Sequence, residues 1–140
     1  MEPLTFRHPQ RITYAECTVG NHVYYARYLD LLEAARGEFF RSLGQPLLEL
    51  QREGVIFPVT ECHVRYLQPA RYDEVVTTEL WLTLARGARL NFGCRMRGEA
   101  GGVILEGETF HACATLEEKP KRIPEDLLLK LQPFVQSPAP

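Results

Sequence analysis

The feature that most constrains the fold is a helical pattern over residues 23–43. At a rise of 1.5 Å per residue, such a helix is about 30 Å long. Apolar residues cover one broad side of it at 100° per residue. They are Tyr25, Tyr28, Leu29, Leu32, Ala35, Phe39, Phe40 and Leu43. An apolar side this wide needs a large covering surface, and we expect a curved β-sheet wrapped around the helix.

Alternation of apolar and polar residues predicts the strands of that sheet. One strand precedes the helix and four follow it. They span residues 8–17, 56–67, 74–85, 90–97 and 103–116. Gly44 suits the end of the long helix, and two short helices are predicted over 46–51 and 123–131. The order β-α-β-β-β-β favours an α+β layer architecture.

Length and composition fit one domain. The chain has 140 residues and a net charge of -2, so it lacks the basic excess of a nucleic-acid-binding protein. We expect a single domain over 1–132 and a flexible tail over 133–140. There is no apolar run long enough to span a membrane and no signal-peptide pattern, so we expect a cytoplasmic protein.

The four cysteines match no metal-binding or disulfide spacing. They are Cys17, Cys62, Cys94 and Cys113. Each lies beside apolar residues, which predicts small buried side chains and no metal site. His63 and His111 alternate with apolar strand residues, and we expect them at the surface or at an interface.

The stretch over residues 14–28 carries the candidate chemistry. It combines a carboxylate, a hydroxyl, an amide and an imidazole at the start of the long helix. These belong to Glu16, Thr18, Asn21 and His22. The unpaired N–H groups and the positive dipole end of a helix N-terminus suit an anion or a developing oxyanion.

Several motifs keep one order and spacing over residues 7–131. They are Tyr14-Ala15-Glu16, Val23-Tyr24-Tyr25-Ala26-Arg27-Tyr28-Leu29, Glu33-Ala34-Ala35-Arg36, Val64-Arg65-Tyr66-Leu67-Gln68-Pro69-Ala70 with Asp73, and Lys119-Pro120-Lys121-Arg122-Ile123-Pro124. Together they resemble the 4-hydroxybenzoyl-CoA thioesterase/YbgC-like acyl-CoA thioesterases. The resemblance implies a hot-dog fold, in which a five-stranded antiparallel sheet wraps one long central helix. It also implies an acyl-CoA substrate, no cofactor, and a homodimer that assembles into a tetramer, with active sites between subunits.

The same resemblance assigns roles around the turn. It implies that the backbone N–H of Tyr25 binds the thioester carbonyl. Many family members have a catalytic aspartate where Thr18 stands, and often a glycine where Asn21 stands. The missing aspartate leaves two hypotheses open, a thioesterase that uses another carboxylate and a non-hydrolytic acyl-CoA or acyl-carrier binding protein.

Glu16 and Glu33 are the candidate replacements for that carboxylate. In an extended segment Glu16 shares a face with Thr18 and can reach a water that Thr18 or Asn21 orients. Its alternative role is to cap the turn or pair with an arginine. Another branch of hot-dog thioesterases has its catalytic glutamate near the position of Glu33. The alternative there is a buried ion pair between Glu33 and Arg36.

His22 and a set of basic residues complete the candidates. His22 either polarises the carbonyl and moves a proton, or is a solvated capping residue. Arg86, Arg89 and Lys121 are candidates for binding the CoA phosphates, because guanidinium groups suit phosphate oxygens. They can equally be a solvated surface. By resemblance, CoA binds the corresponding hairpin, sometimes of a neighbouring subunit, and Pro69 lines the pantetheine channel.

Overall fold

The computed structural model describes residues 2–136. Within them lie five strands and three α-helices. The strands are β1 (Phe6–Arg11), β2 (Val59–Tyr66), β3 (Val75–Arg86), β4 (Arg89–Arg97) and β5 (Val103–Ala112). The helices are α1 (Arg27–Ser42), α2 (Leu47–Arg52) and α3 (Glu125–Leu131). One antiparallel sheet has the order β1-β3-β4-β5-β2 and packs on α1. These are the layers of the hot-dog fold, and the expected fold class is confirmed.

The inner side of α1 forms the centre of the core. Its buried residues are Tyr28, Leu31, Leu32, Ala35, Phe39 and Phe40. The Phe39 ring lies 5.6 Å from that of Phe92 on β4 and 5.5 Å from that of Phe6 on β1. Full burial of one such ring stabilises the fold by about 2 kcal/mol. The broad apolar side is therefore confirmed where the sheet covers it, whereas Tyr25 is 63% exposed and Leu29 40% exposed.

The helix begins later than predicted and ends as predicted. α1 starts at Arg27 rather than residue 23 because the Val23 N–H donates to Ala70 O, at 2.9 Å, and Val23 also bridges to Cys17. At the other end Gly44 has a φ of 76°. The Gln45 N–H donates to Phe40 O at 3.1 Å, which is the hydrogen bond of a Schellman cap.

The outer strands differ from their predicted bounds. β1 covers residues 6–11 rather than 8–17, and Tyr14–Glu16 form a 3₁₀ turn. β5 ends at Ala112 rather than at residue 116, because the Thr115 N–H donates to Lys119 O in a tight turn. Ile56 forms only an isolated bridge to Ala114, so β2 begins at Val59. The alternation of apolar and polar residues does not by itself show where strand pairing ends and a turn begins.

Residues 133–136, which were predicted to belong to a flexible tail, are folded against the rest of the protein. Gln132–Phe134 form a 3₁₀ turn, and the Phe134 ring lies 4.9 Å from that of Phe39. The Gln136 N–H donates to Leu82 O at 2.8 Å. This segment therefore packs against the sheet and closes part of the core. Residues 137–140 of the expected tail lie outside the described residues.

The outer face of the sheet carries a row of alternating charges. In register across the five strands lie Arg7, Glu79, Arg95, Glu106 and Arg65. The Glu79 carboxylate is the best buried of them and lies 3.1 Å from Arg7 Nε and from Arg97 Nε. Beside this row the half-buried Trp81 ring covers Gly93, with the Arg95 guanidinium 5.4 Å from the ring centroid.

Strand β2 forms an open edge of the sheet. It has a neighbour on one side only, β5. Seven of its eight residues are exposed. A long exposed edge strand offers unpaired N–H and C=O groups to another strand. None of the helices described here is long and apolar enough to cross a membrane.

Candidate active site

The turn before α1 is built from short-range backbone hydrogen bonds. The Thr18 N–H donates to His22 O at 2.8 Å, and the Asn21 N–H donates to Thr18 O at 3.1 Å. Gly20 and Asn21 both have positive φ, 78° and 63°. Asparagine tolerates this left-handed conformation better than other non-glycine residues do. This explains why Asn21 can stand where the resembled family often has glycine.

Two backbone amides at the start of α1 are free. The Tyr24 N–H donates to Glu16 O at 2.9 Å, and the Arg27 N–H donates to Tyr24 O at 2.8 Å. Between them, the N–H groups of Tyr25 and Ala26 donate to no acceptor within residues 2–136. These amides lie at the N-terminal end of α1, where the helix dipole is positive, so they suit the oxygen of a polarised carbonyl.

A cleft of about 290 Å³ lies in front of this helix start. Its walls are His22, Val23, Tyr25, Tyr28, Tyr66, Leu67, Gln68 and Pro69. The buried Tyr28 Oη accepts a hydrogen bond from the Ala70 N–H at 3.0 Å and so ties the helix to the wall that contains Pro69. Burial raises the pKa of the Tyr28 hydroxyl. The structure thus brings the candidates His22, Tyr25 and Pro69 together, with Thr18 and Asn21 exposed on the turn beside them.

The Glu16 carboxylate is already hydrogen-bonded to Thr13. Its Oε1 accepts from the Thr13 N–H at 2.6 Å and from the Thr13 hydroxyl at 2.7 Å. This is the capping role named as the alternative to catalysis. Because Glu16 lies in a 3₁₀ turn, the expected extended face shared with Thr18 does not form. The pattern Thr13-x-x-Glu16 is a capping box and was the signal for this contact.

Glu33 and Arg36 do not form the expected buried pair. Glu33 is exposed and Arg36 half-buried, and no ion pair joins them within 4.0 Å in the described chain. Both line a second cavity, of about 260 Å³, between α1 and the Val59 end of β2. Burial lowers the pKa of the Arg36 guanidinium, and the Glu33 carboxylate partly offsets this. Glu33 therefore keeps a free carboxylate beside an open groove.

His111 lies on the wall of this second cavity and is buried within one subunit, whereas we expected it at the surface or at an interface. Its Nε2 lies 2.9 Å from Thr109 Oγ1 and its Nδ1 lies 3.2 Å from Phe57 O. Burial, with a further contribution from Arg36, lowers the pKa of His111 to about 4. The ring is therefore neutral at neutral pH.

The basic candidates lie far from the cleft within one subunit. Arg86 and Arg89 face each other at the end of the β3–β4 hairpin. Lys121 is tied to the same end, because its N–H donates to Cys113 O while the Cys113 N–H donates to Ala88 O. Pro69 precedes β3 and so lies at the other end of that strand, which is about 36 Å long. One subunit does not bring the four CoA candidates together.

The cysteines follow the prediction in part. Cys94 and Cys113 are buried and Cys17 is partly buried, whereas Cys62 is exposed on β2. Burial raises the pKa of Cys94 to about 12, so its thiol keeps its proton. Residues 2–136 contain no group of three or more His, Cys, Asp or Glu side chains placed to hold a metal ion.

Comparison with known proteins gives the family. The family model described as the thioesterase-like superfamily matches residues 12–131. The chain belongs to the thioesterase-like superfamily. Acyl-CoA thioester hydrolase YbgC of Escherichia coli O6:H1 is 30% identical over 94% of this chain and 99% of its own length.

Two further comparisons support this membership. Acyl-CoA thioesterase YbgC of Haemophilus influenzae is 32% identical, over 87% of this chain and 90% of its own. A crystal structure of the hypothetical protein TT1821 from Thermus thermophilus superposes with a TM-score of 0.85 at 34% identity. It covers 91% of this chain and 98% of its own. The resemblance inferred from the motifs is confirmed.

One contact of this thioesterase-like protein escaped the sequence reasoning. Tyr66, the last residue of β2, donates its hydroxyl to the backbone carbonyl of Tyr25 at 3.0 Å. The residues are 41 positions apart, and alternation places Tyr66 only on the same strand face as Cys62 and Val64. The one available signal was a tyrosine, rather than an aliphatic residue, at the end of that strand.

Proposed function

We propose that this protein hydrolyses an acyl-CoA thioester in the cleft in front of α1. The observation that carries the proposal is the pair of free amides, Tyr25 and Ala26, at a helix start where Tyr25 and Tyr28 line a cleft. Relatives described as acyl-CoA thioester hydrolases match this chain over nearly their whole length. The thioester carbonyl oxygen accepts hydrogen bonds from these amides, which strengthen as the oxygen becomes negative. One such donor contributes about 3 kcal/mol to transition-state stabilisation.

The carboxylate that activates water is Glu33 rather than Glu16. Glu16 Oε1 is already bound by Thr13, whereas Glu33 is exposed and has no hydrogen-bond or ion-pair partner among the described residues. Eight residues separate Tyr25 from Glu33, which is about 12 Å along one helix. A single thioester cannot touch both groups of one subunit, so Glu33 of the partner subunit serves the cleft.

A homodimer formed through β2 supplies that second subunit. The exposed edge strand pairs with its symmetry copy, which completes the backbone hydrogen bonding on its open side. In an antiparallel two-fold pair, the Val59 end of one β2 lies beside the Tyr66 end of the other. The cavity with Glu33 in one subunit then meets the cleft with Tyr25 in the other.

Hydrolysis then proceeds through ordinary acyl chemistry. The Glu33 carboxylate takes a proton from a water whose oxygen attacks the thioester carbon, and the carbonyl electron pair moves onto the oxygen held by the amides. When this pair returns, the C–S bond breaks. The proton that Glu33 took passes to the thiolate, with His22 in the cleft wall as the candidate that carries it, so the Glu33 carboxylate is restored and the products are CoA and a carboxylic acid.

The same dimer brings CoA-binding groups to the cleft. The β3–β4 hairpin lies at the Val59 end of the sheet, because Arg89 pairs with Ala112 and Val59 with His111. Two-fold symmetry carries this hairpin of one subunit toward the Tyr66 end of the other. Arg86, Arg89 and Lys121 of the partner subunit bind the CoA phosphates, while Pro69 lines the path of the pantetheine arm.

Assembly and location complete the proposal. Two dimers form a tetramer through the outer sheet faces, where the alternating charges around Glu79 and Glu106 are self-complementary under two-fold symmetry. The protein is cytoplasmic. Four cysteines without a disulfide in the described chain fit a reducing compartment.

Thiol release from a panel of acyl-CoAs tests the activity. We expect turnover by the wild type, and a loss of about 100-fold in kcat for Glu33→Gln. Glu16→Gln is the matched control, because glutamine preserves the capping contacts, and its kcat stays within about threefold. A wild type that cleaves no acyl-CoA contradicts the activity. Full activity of Glu33→Gln contradicts the assigned carboxylate.

A further inference from the structure

The start of α1 leaves one carbonyl outside the helical ladder. Tyr24 O accepts from the Arg27 N–H at 2.8 Å, and Ala26 O accepts from the Leu29 N–H at 3.2 Å. Tyr25 O, between them, accepts instead from the Tyr66 hydroxyl at 3.0 Å. A side chain from the edge strand thus takes the place of a helical donor.

This carbonyl shares a peptide unit with one of the two free amides. Tyr25 O and the Ala26 N–H lie at opposite ends of one planar peptide group. A hydrogen bond to the oxygen fixes the orientation of that plane. It also draws electron density from the nitrogen and strengthens the N–H as a donor, as in a chain of cooperative hydrogen bonds. The Tyr66 hydroxyl therefore acts on the Ala26 amide through a single peptide group.

Tyr66 is itself held in place. Its ring centroid lies 5.4 Å from that of Tyr28 and 6.4 Å from that of Tyr25. The next two residues, Leu67 and Gln68, both donate their N–H groups to Ile104 O, which fixes the end of β2. Partial burial raises the pKa of the Tyr66 hydroxyl, so it remains a donor across the neutral range.

We propose that Tyr66 is a positioning residue for the oxyanion-binding amides, acting through the carbonyl of Tyr25. The inference rests on the proposed thioester hydrolysis at this helix start. Tyr66 takes no part in bond making. Its hydroxyl orients and polarises the Ala26 N–H, so it contributes most when the substrate oxygen carries its greatest charge.

Tyr66→Phe isolates the hydroxyl, because the ring contacts remain. We expect kcat to fall on the order of tenfold while KM stays within about twofold, since the interaction strengthens only in the transition state. The midpoint of chemical unfolding stays close to that of the wild type. The matched control is Tyr72→Phe. Tyr72 is 48% exposed against 45% for Tyr66, and its ring lies against Tyr14 outside the cleft.

A second measurement does not require turnover. In the Glu33→Gln background, the infrared C=O stretch of bound benzoyl-CoA labelled with ¹³C at the carbonyl reports how strongly the amides polarise it. We expect a shift to lower frequency relative to free benzoyl-CoA, and a smaller shift when Tyr66→Phe is added. Tyr72→Phe leaves the shift unchanged.

These readouts separate the two proposals. A Tyr66→Phe variant with unchanged kcat and an unchanged carbonyl frequency overturns the role of Tyr66, and so does a rise in KM alone. A wild type without turnover overturns the proposed hydrolysis. In that case a carbonyl shift that becomes smaller in Tyr66→Phe still supports the role of Tyr66 at the amides. A carbonyl shift that is unchanged in Tyr66→Phe overturns that role.

Discussion

At the scale of single residues, His111 couples burial to the pH dependence of stability. Its folded pKa is lowered to about 4. In the unfolded chain a histidine has a pKa of about 6.5. Between these values the unfolded chain binds a proton that the folded protein does not, so stability falls as the pH drops from about 6.5 to about 4.

We expect this single group to cost about 2.5 kcal/mol of stability between pH ~7.5 and pH ~4.5. Urea unfolding at the two pH values measures it. His111→Gln, which can still meet Thr109 and Phe57, loses correspondingly less stability in acid than the wild type does. His63→Gln, at an exposed histidine of β2, behaves as the wild type. An equal acid loss in His111→Gln and the wild type would show that the buried ring is not the cause.

Single residues also show which features of the site could be predicted from the sequence and which could not. The family resemblance assigned the Tyr25 amide to the thioester carbonyl, and in the structure this amide has no acceptor within residues 2–136. Glu16 was within reach of Thr13 only once the turn had formed, and the capping box that encodes this was overlooked. The contact between Tyr66 and Tyr25 depends on how the β2 edge meets α1, which no local pattern records.

At the scale of elements, packing fixes how close two strands' side chains come. Gly93 of β4 lies directly opposite Trp81 of β3, and a Cβ atom at Gly93 would overlap the indole ring. Gly37 lies inside α1, and no atom lies within 4 Å of the position its Cβ would take. The same substitution therefore has opposite effects at the two positions.

We expect Gly93→Ala to lower the free energy of unfolding by about 1–3 kcal/mol, because the indole must leave the sheet. Gly37→Ala raises it by about 0.5–1 kcal/mol through helix propensity. The chain has one tryptophan, so its fluorescence reports on this contact directly. Emission shifts to longer wavelength in Gly93→Ala and stays unchanged in Gly37→Ala. Unchanged emission in Gly93→Ala would contradict the described packing.

The elements themselves were predicted well where they are long and periodic. α1, β3 and β4 lie within a few residues of their expected bounds. The errors concentrate at ends, such as the late start of α1 and the early end of β5. At these positions a backbone group is taken by a distant partner, as the Val23 N–H is taken by Ala70 O.

At the scale of the whole molecule, the open edge of β2 is the surface through which we propose that the homodimer forms. Cys62 lies in the middle of this strand, is exposed, and pairs with the buried Thr109, so it lies on the helix side of the sheet. A charge here is harmless in a monomer but costly between two paired strands.

We expect Cys62→Lys to be a folded monomer that has lost its thioesterase activity, since in the proposed dimer each cleft takes Glu33 from the other subunit. Cys62→Ser remains a dimer and remains active. Light scattering coupled to size-exclusion chromatography measures the mass, and far-ultraviolet circular dichroism checks the fold. A monomeric Cys62→Lys with wild-type turnover would contradict an active site shared between subunits.

The sequence by itself determined the layers of this protein and indicated the turn before α1 as the location of its proposed chemistry. A helix with a wide apolar side requires a sheet to cover it, and a polar turn before its first N–H groups creates a place for an oxyanion. Both follow from residues near one another in the chain. The local pattern Thr13-x-x-Glu16 encoded the cap that occupies the Glu16 carboxylate. Only the tertiary structure decided that Glu33 is free and that Tyr66 holds the carbonyl of Tyr25. These outcomes depend on which distant hydrogen-bonding groups the fold brings within reach, and local periodicity carries no record of them.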